Sequence, residues 1–461
     1  MDIHKLCFAA AALAALPAFA AIEIVAPAPG STVPLLTDSQ KAYISLPTAE
    51  RREKFASNSF RKKTMGLPAE QVPGEEKPRE AYWPKTVRLA WKGVEGVEYR
   101  VVVRSAKKDE TVIDQKVKGS ELYIDNLEIA TDYKWVVVGG GDNGKGTFRT
   151  EDTAPRLVRF PGVPNVRDFG GRIGLGGKRV RQGRVFRSAG LNGNAKDVLF
   201  TLDELRELGR TEDLKVAVDE AQKRLDQLLA WQADPKTMDF EDKDYSSWKD
   251  RHQGEPLAKF LSSRIHRAKE LVKNGGTPKA VKGREPGKSR VEGEKGEYIR
   301  TRFGIKTDID LRSDKECFGM TGSPLGPTVK WEHISSSAYG GMTSEGGKRA
   351  FAKVFRVFLD ENNYPIDFHC IAGQDRTGAV AYILNGLLGV EEDQLALDWE
   401  ITGFWNRGNS FRHDLRYDKL VECFKENYPA DTVRERLEKY VLSLGFTEAD
   451  IAKFRKIMLE D

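Results

Sequence analysis

The sequence predicts an N-terminal all-β sandwich followed by an α/β domain, in which a parallel or mixed sheet is flanked by helices. Short segments with alternating apolar residues, as at Val87, Leu89 and Trp91, succeed one another between Gly, Asp and Asn turns. Further along, Ile366 and Phe368 alternate as in a strand and precede an apolar stretch typical of a buried helix. With 461 residues, 39% of them hydrophobic, the chain is long enough for two or three units.

Residues 1–20 have the features of a secretory signal peptide. Lys5 precedes an apolar, Ala-rich run over residues 6–16, and Ala18-Phe19-Ala20 fits an Ala-x-Ala cleavage site. No later segment approaches the roughly 20 apolar residues that cross a bilayer. We therefore expect an exported protein without a membrane span, periplasmic or secreted after removal of the signal peptide.

Residues 21–152 form the predicted β-sandwich, which carries a charged insertion at 41–84. The strands around Trp91 and Tyr133 resemble those of a fibronectin type III-like module, which would act in spacing or docking. This pattern leaves the partner of the module open.

Residues 153–461 form the predicted α/β domain, which begins after a Pro-containing junction and is interrupted at 196–300. Within the interruption, residues 202–208, 214–231 and 257–272 have helical spacing of apolar residues. Residues 274–296 are rich in Gly, Lys and Pro, which predicts a loop.

Composition narrows the possible partners. The formal net charge is only +5, and no aromatic and basic pattern specific for DNA or RNA is present, so we expect no nucleic-acid partner. Histidines are scattered without metal-ligand spacing, so we expect no metal and no other cofactor. After the predicted signal peptide, only Cys317, Cys370 and Cys423 remain, which are too few for a disulfide framework.

The run from His369 to Gly378 contains the candidate reactive groups, with five residues between Cys370 and Arg376. Its strand–loop–helix context places it at a helix N-terminus, where unpaired N–H groups and the macrodipole favour anions. Gly373 would let the backbone approach phosphate oxygens, and the planar fork of Arg376 would bind two of them. The same field lowers the pKa of a thiol, so Cys370 would be a thiolate able to attack phosphorus.

These residues closely resemble the signature of the cysteine-dependent protein tyrosine phosphatase superfamily: His-Cys, five residues, Arg, then Ser or Thr. The Ala-Gly pair followed by Asp-Arg-Thr-Gly is similar to a bacterial branch that includes secreted tyrosine and dual-specificity phosphatases. Residues 165–171, 183–189 and 304–313 look like further elements of that branch, in the same order. The resemblance covers roughly residues 153–461, and we expect the first of these segments to shape the site, with Asp168 pairing with an Arg.

The resemblance implies a phosphocysteine intermediate, with Cys370 as nucleophile and Arg376 as phosphate ligand. The Thr377 hydroxyl would donate to the sulfur as it departs. Two carboxylates are candidates for the general acid: Asp310 at the end of its strand and Asp375 inside the loop. The remaining predicted substrate-binding positions of the run are Ile371, Ala372, Gly373, Gln374, Gly378 and His369, the last of which would also bias the thiolate.

The activity implied first is that of a protein-tyrosine phosphatase acting on a phosphorylated protein or a small phosphorylated substrate. A Lys often stands in the branch where this chain has Gln374, and its absence disfavours polyanionic inositol headgroups. A secreted inositol-phosphate or phosphoinositide phosphatase is the main alternative. A phosphate-binding protein without turnover is a further alternative, against which the intact Cys370, Gly373 and Arg376 argue.

Overall fold

The structure is a computed structural model, which describes residues 22–51, 70–73, 75–76, 79–80, 82–200, 211–239, 242, 245, 257–273, 281–405 and 414–461. Its contacts divide the chain into two units. The first comprises Met1–Gly193, Ser289–Ser313 and Thr321–Asp461, and the second comprises Asn194–Lys288 and Asp314–Met320. The predicted signal peptide lies outside the described residues, as do parts of the two predicted insertions, and the predicted domain boundaries stay predictions.

The N-terminal part of the first unit is a β domain. Its elements in chain order are β1 (Ile24–Ala26), β2 (Ser31–Val33), α1 (Asp38–Ile44), β3 (Val87–Trp91), β4 (Glu98–Ser105), β5 (Glu110–Lys118), β6 (Glu121–Ile124), β7 (Asp132–Gly139) and β8 (Asp142–Thr150). They form one sheet in the order β1-β3-β6 and another in the order β2-β8-β7-β4-β5. Both sheets contribute to one apolar core, in which Trp91 contacts Tyr99 and Trp135.

The later strands are β9 (Arg167–Asp168), β10 (Val185–Ser188), β11 (Lys196–Phe200), β12 (Val281–Glu285), β13 (Thr307–Asp310), β14 (Lys330–His333) and β15 (Ile366–His369). Five of them form a mixed sheet in the order β14-β13-β15-β10-β9. The first four of these run parallel, and β9 pairs antiparallel with β10. Strand β15 is therefore central, with β13 paired to one of its edges and β10 to the other.

The later helices are α2 (Thr211–Ala233), α3 (Leu257–Lys273), α4 (Glu294–Phe303), α5 (Glu345–Phe358), α6 (Asp375–Leu387), α7 (Glu392–Glu400), α8 (Asp414–Asn427), α9 (Val433–Ser443) and α10 (Glu448–Met458). The sheet and the helices from α5 onward share one large core, in which Phe368, Phe355 and Ile383 are fully buried. The predicted α/β architecture is thereby confirmed. No described helix is both long and apolar enough to traverse a bilayer.

The second unit contains α2 and α3, which confirm the predicted helices at 214–231 and 257–272. The predicted helix at 202–208 lies outside the described residues. They share an apolar core in which Leu228 and Trp231 of α2 and Phe260 of α3 are buried. The predicted loop at 274–296 is wrong over residues 294–296, which begin α4, and over residues 281–285, which form β12. These residues pair with β11 along its whole length, and such long-range pairing leaves no local sequence signal.

Candidate active site

The run from His369 to Gly378 lies at the carboxyl edge of the central sheet. Strand β15 ends at His369, and α6 begins at Asp375, so residues 370–374 connect them directly. Open parallel sheets bind ligands at this edge, beyond the ends of their strands. The strand–loop–helix context predicted from the sequence is confirmed.

The backbone of this loop is turned so that its carbonyls face the protein scaffold. Three carbonyls accept hydrogen bonds: that of Ile371 from the Gly190 amide at 3.1 Å, that of Ala372 from Asn165 Nδ2 at 2.8 Å, and that of Gly373 from Arg187 Nη2 at 2.8 Å. Because each peptide unit is planar and trans, the N–H that follows a carbonyl points the opposite way. The amides of residues 372–374 therefore face into the loop, and within the described residues none of them has an acceptor.

Two glycines of the run serve different purposes. Gly373 has a φ of 65°, and a Cβ there would collide with the Ser188 carbonyl, so only glycine fits this close approach. Gly378 lies in the first turn of α6, where its amide donates to the Gln374 carbonyl at 2.7 Å and a Cβ would strike the ring of Trp399. We therefore reassign Gly378 from substrate binding to helix packing.

Cys370, Arg376 and Thr377 are brought together. Burial raises the pKa of the Cys370 thiol, but the charge of Arg376 and hydrogen bonds from Thr377 outweigh it, so the net shift is downward. The buried Thr377 hydroxyl has no other hydrogen-bond partner in the described part of the chain. Arg376 Nη1 also donates to the Leu311 carbonyl at 3.3 Å, which anchors the guanidinium.

Asp310 is fully buried in an ion pair. Arg312 Nε lies 2.8 Å from Asp310 Oδ1, and Arg312 Nη2 lies 2.5 Å from Oδ2. Burial alone would raise the pKa of Asp310, but His369 and Arg312 hold it well below its usual range. A carboxyl that stays ionised has no proton to give, so this placement disfavours Asp310 as the general acid and makes it a structural partner of Arg312.

Asp375 is placed differently, at the first position of α6 with its side chain 33% exposed. Its Oδ1 accepts a hydrogen bond from the Tyr339 hydroxyl and lies 3.5 Å from Arg416 Nη1. Burial and the neighbouring Asp375 raise the pKa of Tyr339, so the phenol keeps its proton. Asp375 thus combines access to solvent with a position beside the phosphate loop, which favours it as the acid.

His369 lies in a buried polar cluster at the base of the loop, where its Nδ1 is 3.2 Å from the Cys370 carbonyl oxygen. Its Nε2 lies 2.9 Å from Asp308 Oδ1. Burial alone would lower the pKa of His369, but the charges of Asp310 and Asp308 outweigh it and raise the pKa to about 9. Burial also raises the pKa of the neighbouring Asp367 to about 7, and Asp367 accepts a hydrogen bond from the Ser188 hydroxyl at 2.9 Å. We reassign His369 from substrate contact to support of the strand that carries Cys370.

A second buried cluster surrounds Asp398, which sequence reasoning missed. Asp398 accepts hydrogen bonds from Arg167 at 3.0 Å, from Arg172 at 2.8 Å and from Arg187. Burial lowers the pKa of Arg167 to about 9. Burial alone would raise the pKa of Asp398, but the charges of Arg187, Arg167 and Arg172 outweigh it and hold this pKa well below its usual range. An isolated Asp between apolar residues of α7 was the available signal for this residue.

The structure also shows the surroundings of Asp168, the cysteines and two residues near the loop that the sequence did not indicate. Asp168 pairs with Arg156 at 2.6 Å, as expected for the segment that shapes the site. Cys317, Cys370 and Cys423 form no disulfide in the described part of the chain. Across the described residues, no group of three or more His, Cys, Asp or Glu side chains is arranged for a metal ion. Tyr339 and Arg416 were missed, because nothing in their local sequence connects them to the loop.

An activated thiol, a guanidinium and inward-facing amides at a strand–helix junction define a site for handling phosphate esters. The chain matches the family model described as the tyrosine phosphatase family over residues 158–273 and 284–460. It belongs to the tyrosine phosphatase family and is a phosphatase. No curated protein matches the chain significantly.

Proposed function

We propose that this protein hydrolyses phosphate monoesters through a phosphocysteine intermediate, with phosphotyrosine in proteins as its substrate. The observation that carries the proposal is the loop, where the amides of residues 372–374 face inward around a thiol of lowered pKa. Three phosphate oxygens need several donors, and these amides together with Arg376 supply them. The family supports phosphatase chemistry in general, and the loop supports this particular mechanism.

The proposed reaction begins with the substrate phosphate bound by the loop amides and the Arg376 guanidinium. The Cys370 thiolate attacks phosphorus, the bond to the ester oxygen breaks, and Asp375 gives its proton to the departing alcohol. A water molecule then loses a proton to the Asp375 carboxylate as its oxygen attacks the phosphocysteine. The sulfur leaves as a thiolate, which the Thr377 hydroxyl stabilises, and inorganic phosphate is released.

Two features support an aromatic monoester over a polyanion. Gln374 is uncharged, so the loop offers no extra cation to a second phosphate. The Tyr339 hydroxyl donates a hydrogen bond to Asp375, the proposed acid, so the Tyr339 ring lies beside it. This ring gives an aromatic leaving group an apolar neighbour. Each lost charge contact near a surface is worth at most a few kcal/mol, so substrate preference is graded.

We further propose that the enzyme is exported and works outside the cytoplasm, as the signal-like residues 1–20 indicate. Its resemblance to the bacterial secreted branch supports the same location. The N-terminal β domain is proposed to be a fibronectin type III-like module that docks or spaces the catalytic part.

A substrate panel tests the proposed activity. Phosphate release would be measured with phosphotyrosine, phosphoserine and phosphothreonine peptides, inositol hexakisphosphate and phosphoinositides. We expect the highest kcat/KM with phosphotyrosine peptide. A tenfold preference for an inositol substrate, about 1.4 kcal/mol in transition-state terms, would replace phosphotyrosine with the alternative substrate.

A variant of Gln374 refines the same assay. Gln374→Lys should raise kcat/KM on inositol phosphates relative to phosphotyrosine peptide, and the gain should shrink as salt rises. Gln374→Met, which changes the shape without adding charge, is the matched control and should leave the ratio unchanged.

A further inference from the structure

Two adjoining cavities lie at the opposite edge of the catalytic sheet from Cys370. The inner one has a volume of about 300 Å³ and the outer one about 550 Å³, and both are lined by Lys108, Glu128 and Gly183. The inner cavity also contacts Gly304 and Pro365, which precede β13 and β15. Because four residues of strand span about 13 Å, these cavities are separate from the phosphate loop.

The lining of the outer cavity carries a net positive charge, and each of its cations except Arg184 pairs with a carboxylate. Its lining contains six cations against three carboxylates. The cations are Lys107, Lys108, Arg149, Arg179, Arg181 and Arg184, and the carboxylates are Glu128, Asp152 and Glu460. An excess of positive charge inside a concave surface raises the local concentration of anions.

Two arginines give this charge specific positions. Arg184 lines the outer cavity and Arg302 the inner one, and neither pairs with a carboxylate of the described residues. Arg302 Nη2 donates to the Asn126 carbonyl at 3.1 Å. The Nε atoms of both are buried without a hydrogen-bond partner in that part of the chain. Arg184 is held by stacking on the ring of Tyr364, with its guanidinium carbon 4.8 Å from the ring centre.

The inner cavity contains a further group without a partner. Ser105 lines this cavity and is 2% exposed, and its buried hydroxyl oxygen has no hydrogen-bond partner within the described ranges. Burial and repulsion from Arg156 lower the pKa of Arg302, which means that its charge is poorly compensated. Buried polar groups are normally hydrogen-bonded, so both features indicate that a ligand completes the site.

We propose that these two cavities form a binding site for a small polyanion that carries two or more phosphate, sulfate or carboxylate groups. Arg302 and Arg184 stand in adjoining cavities, so one anionic group would meet each guanidinium, which binds two oxygens of such a group at once. The Ser105 hydroxyl donates to the inner group, and Lys108, shared by both cavities, lies between them. The ligand is bound here without involving Cys370, so the site goes beyond the proposed function.

Binding of myo-inositol hexakissulfate tests the proposal, because this probe carries no phosphate ester. Titration calorimetry would use the full chain with Arg376→Ala, which removes the guanidinium of the phosphate loop. We expect one salt-sensitive site to remain, and Arg184→Gln with Arg302→Gln to weaken it at least about tenfold. The double variant Arg88→Gln with Arg100→Gln removes the same charge from exposed strand positions and should leave the affinity unchanged.

A second variant keeps the test decisive if the partly buried arginines are needed for folding. Lys108 pairs with Glu128 and is exposed, so Lys108→Gln preserves the fold, which thermal melting would verify; it should weaken binding several-fold. Absence of binding to the Arg376→Ala chain would overturn the proposal. Equal weakening by the Arg88→Gln and Arg100→Gln control would also overturn it, since diffuse charge would then explain the binding. Neither result depends on phosphatase activity.

Discussion

At Cys370, influences of opposite sign determine the protonation state of the proposed nucleophile. Burial favours the neutral thiol, whereas the Arg376 charge and the Thr377 hydrogen bonds favour the thiolate and prevail. The spacing of Cys370 and Arg376 made both predictable from the sequence, since their roles depend on a local loop. The choice between Asp310 and Asp375 was not predictable, because it depends on the Arg312 fork that forms only in the folded sheet.

The assignment of the acid predicts a selective effect at Asp375. Asp375→Asn should lower kcat on peptide phosphates by about 10²–10⁴, because the leaving oxygen then receives no positioned proton. An activated aryl phosphate, whose leaving group needs little protonation, should be affected far less.

Asp310→Asn is the matched control. It should lower kcat/KM on both substrates alike and reduce the melting temperature, because Arg312 loses its buried carboxylate. If Asp310→Asn alone shows selectivity for the leaving group, the two carboxylates exchange roles.

Among the elements, β10 and α7 hold the phosphate loop from beneath. Arg187 of β10 donates both to the Gly373 carbonyl and to Asp398 of α7, so one side chain ties three segments together. Its charge also interacts with Cys370. The Arg-Ser and Asn-x-Arg-Asp segments were predictable as parts of the site, but Asp398 was not, because it is 211 residues from Arg187 in sequence.

This link predicts that Arg187→Met raises the pKa of the Cys370 thiol, because a nearby cation is lost. The pH dependence of Cys370 alkylation by iodoacetamide measures this, and its midpoint should move to higher pH. Arg172→Met removes another cation from Asp398 but no bond to the loop, and should shift the midpoint less. Equal shifts in the two variants would contradict a specific role for Arg187.

Strand β15 predicts a pH-dependent stability through Asp367. Its folded pKa of about 7 lies above its value of about 4 in the unfolded chain. The folded state thus binds the proton more tightly, and the stability this contributes is full below about pH 4 and is lost as pH rises toward 7. Asp367→Asn should flatten the fall in unfolding free energy across this window, as measured by urea unfolding at several pH values. An unchanged slope would contradict the assigned pKa.

In the whole molecule, the β domain and the catalytic sheet belong to one contact unit rather than two. Arg156, just past the predicted junction, donates to the backbone carbonyls of Leu127 and Asn126, and Arg51 pairs with Glu400 of α7. The two fold classes were predictable from strand alternation and helical spacing. The contact between the two parts was not predictable, because it depends on pairs such as Arg51 and Glu400, which are 349 residues apart in sequence.

The buried Arg51–Glu400 pair predicts how strongly the parts depend on each other. Glu400→Leu should lower the unfolding free energy by about 3–5 kcal/mol, because the buried Arg51 guanidinium stays charged but loses its buried carboxylate partner. Arg51 also pairs with Asp393, whose side chain is 48% exposed, so Asp393→Leu should cost at most about 1 kcal/mol. Similar losses in the two variants, measured by urea unfolding, would argue against a buried link between the parts.

Trapping the phosphorylated enzyme tests the nucleophile assignment most directly. Wild-type protein would be mixed with phosphotyrosine peptide, quenched in acid during turnover and digested for mass spectrometry. We predict one phosphoryl group on the peptide that contains Cys370, and neither adduct nor turnover with Cys370→Ser. Turnover by pure Cys370→Ser protein at a rate comparable with wild type would contradict the account.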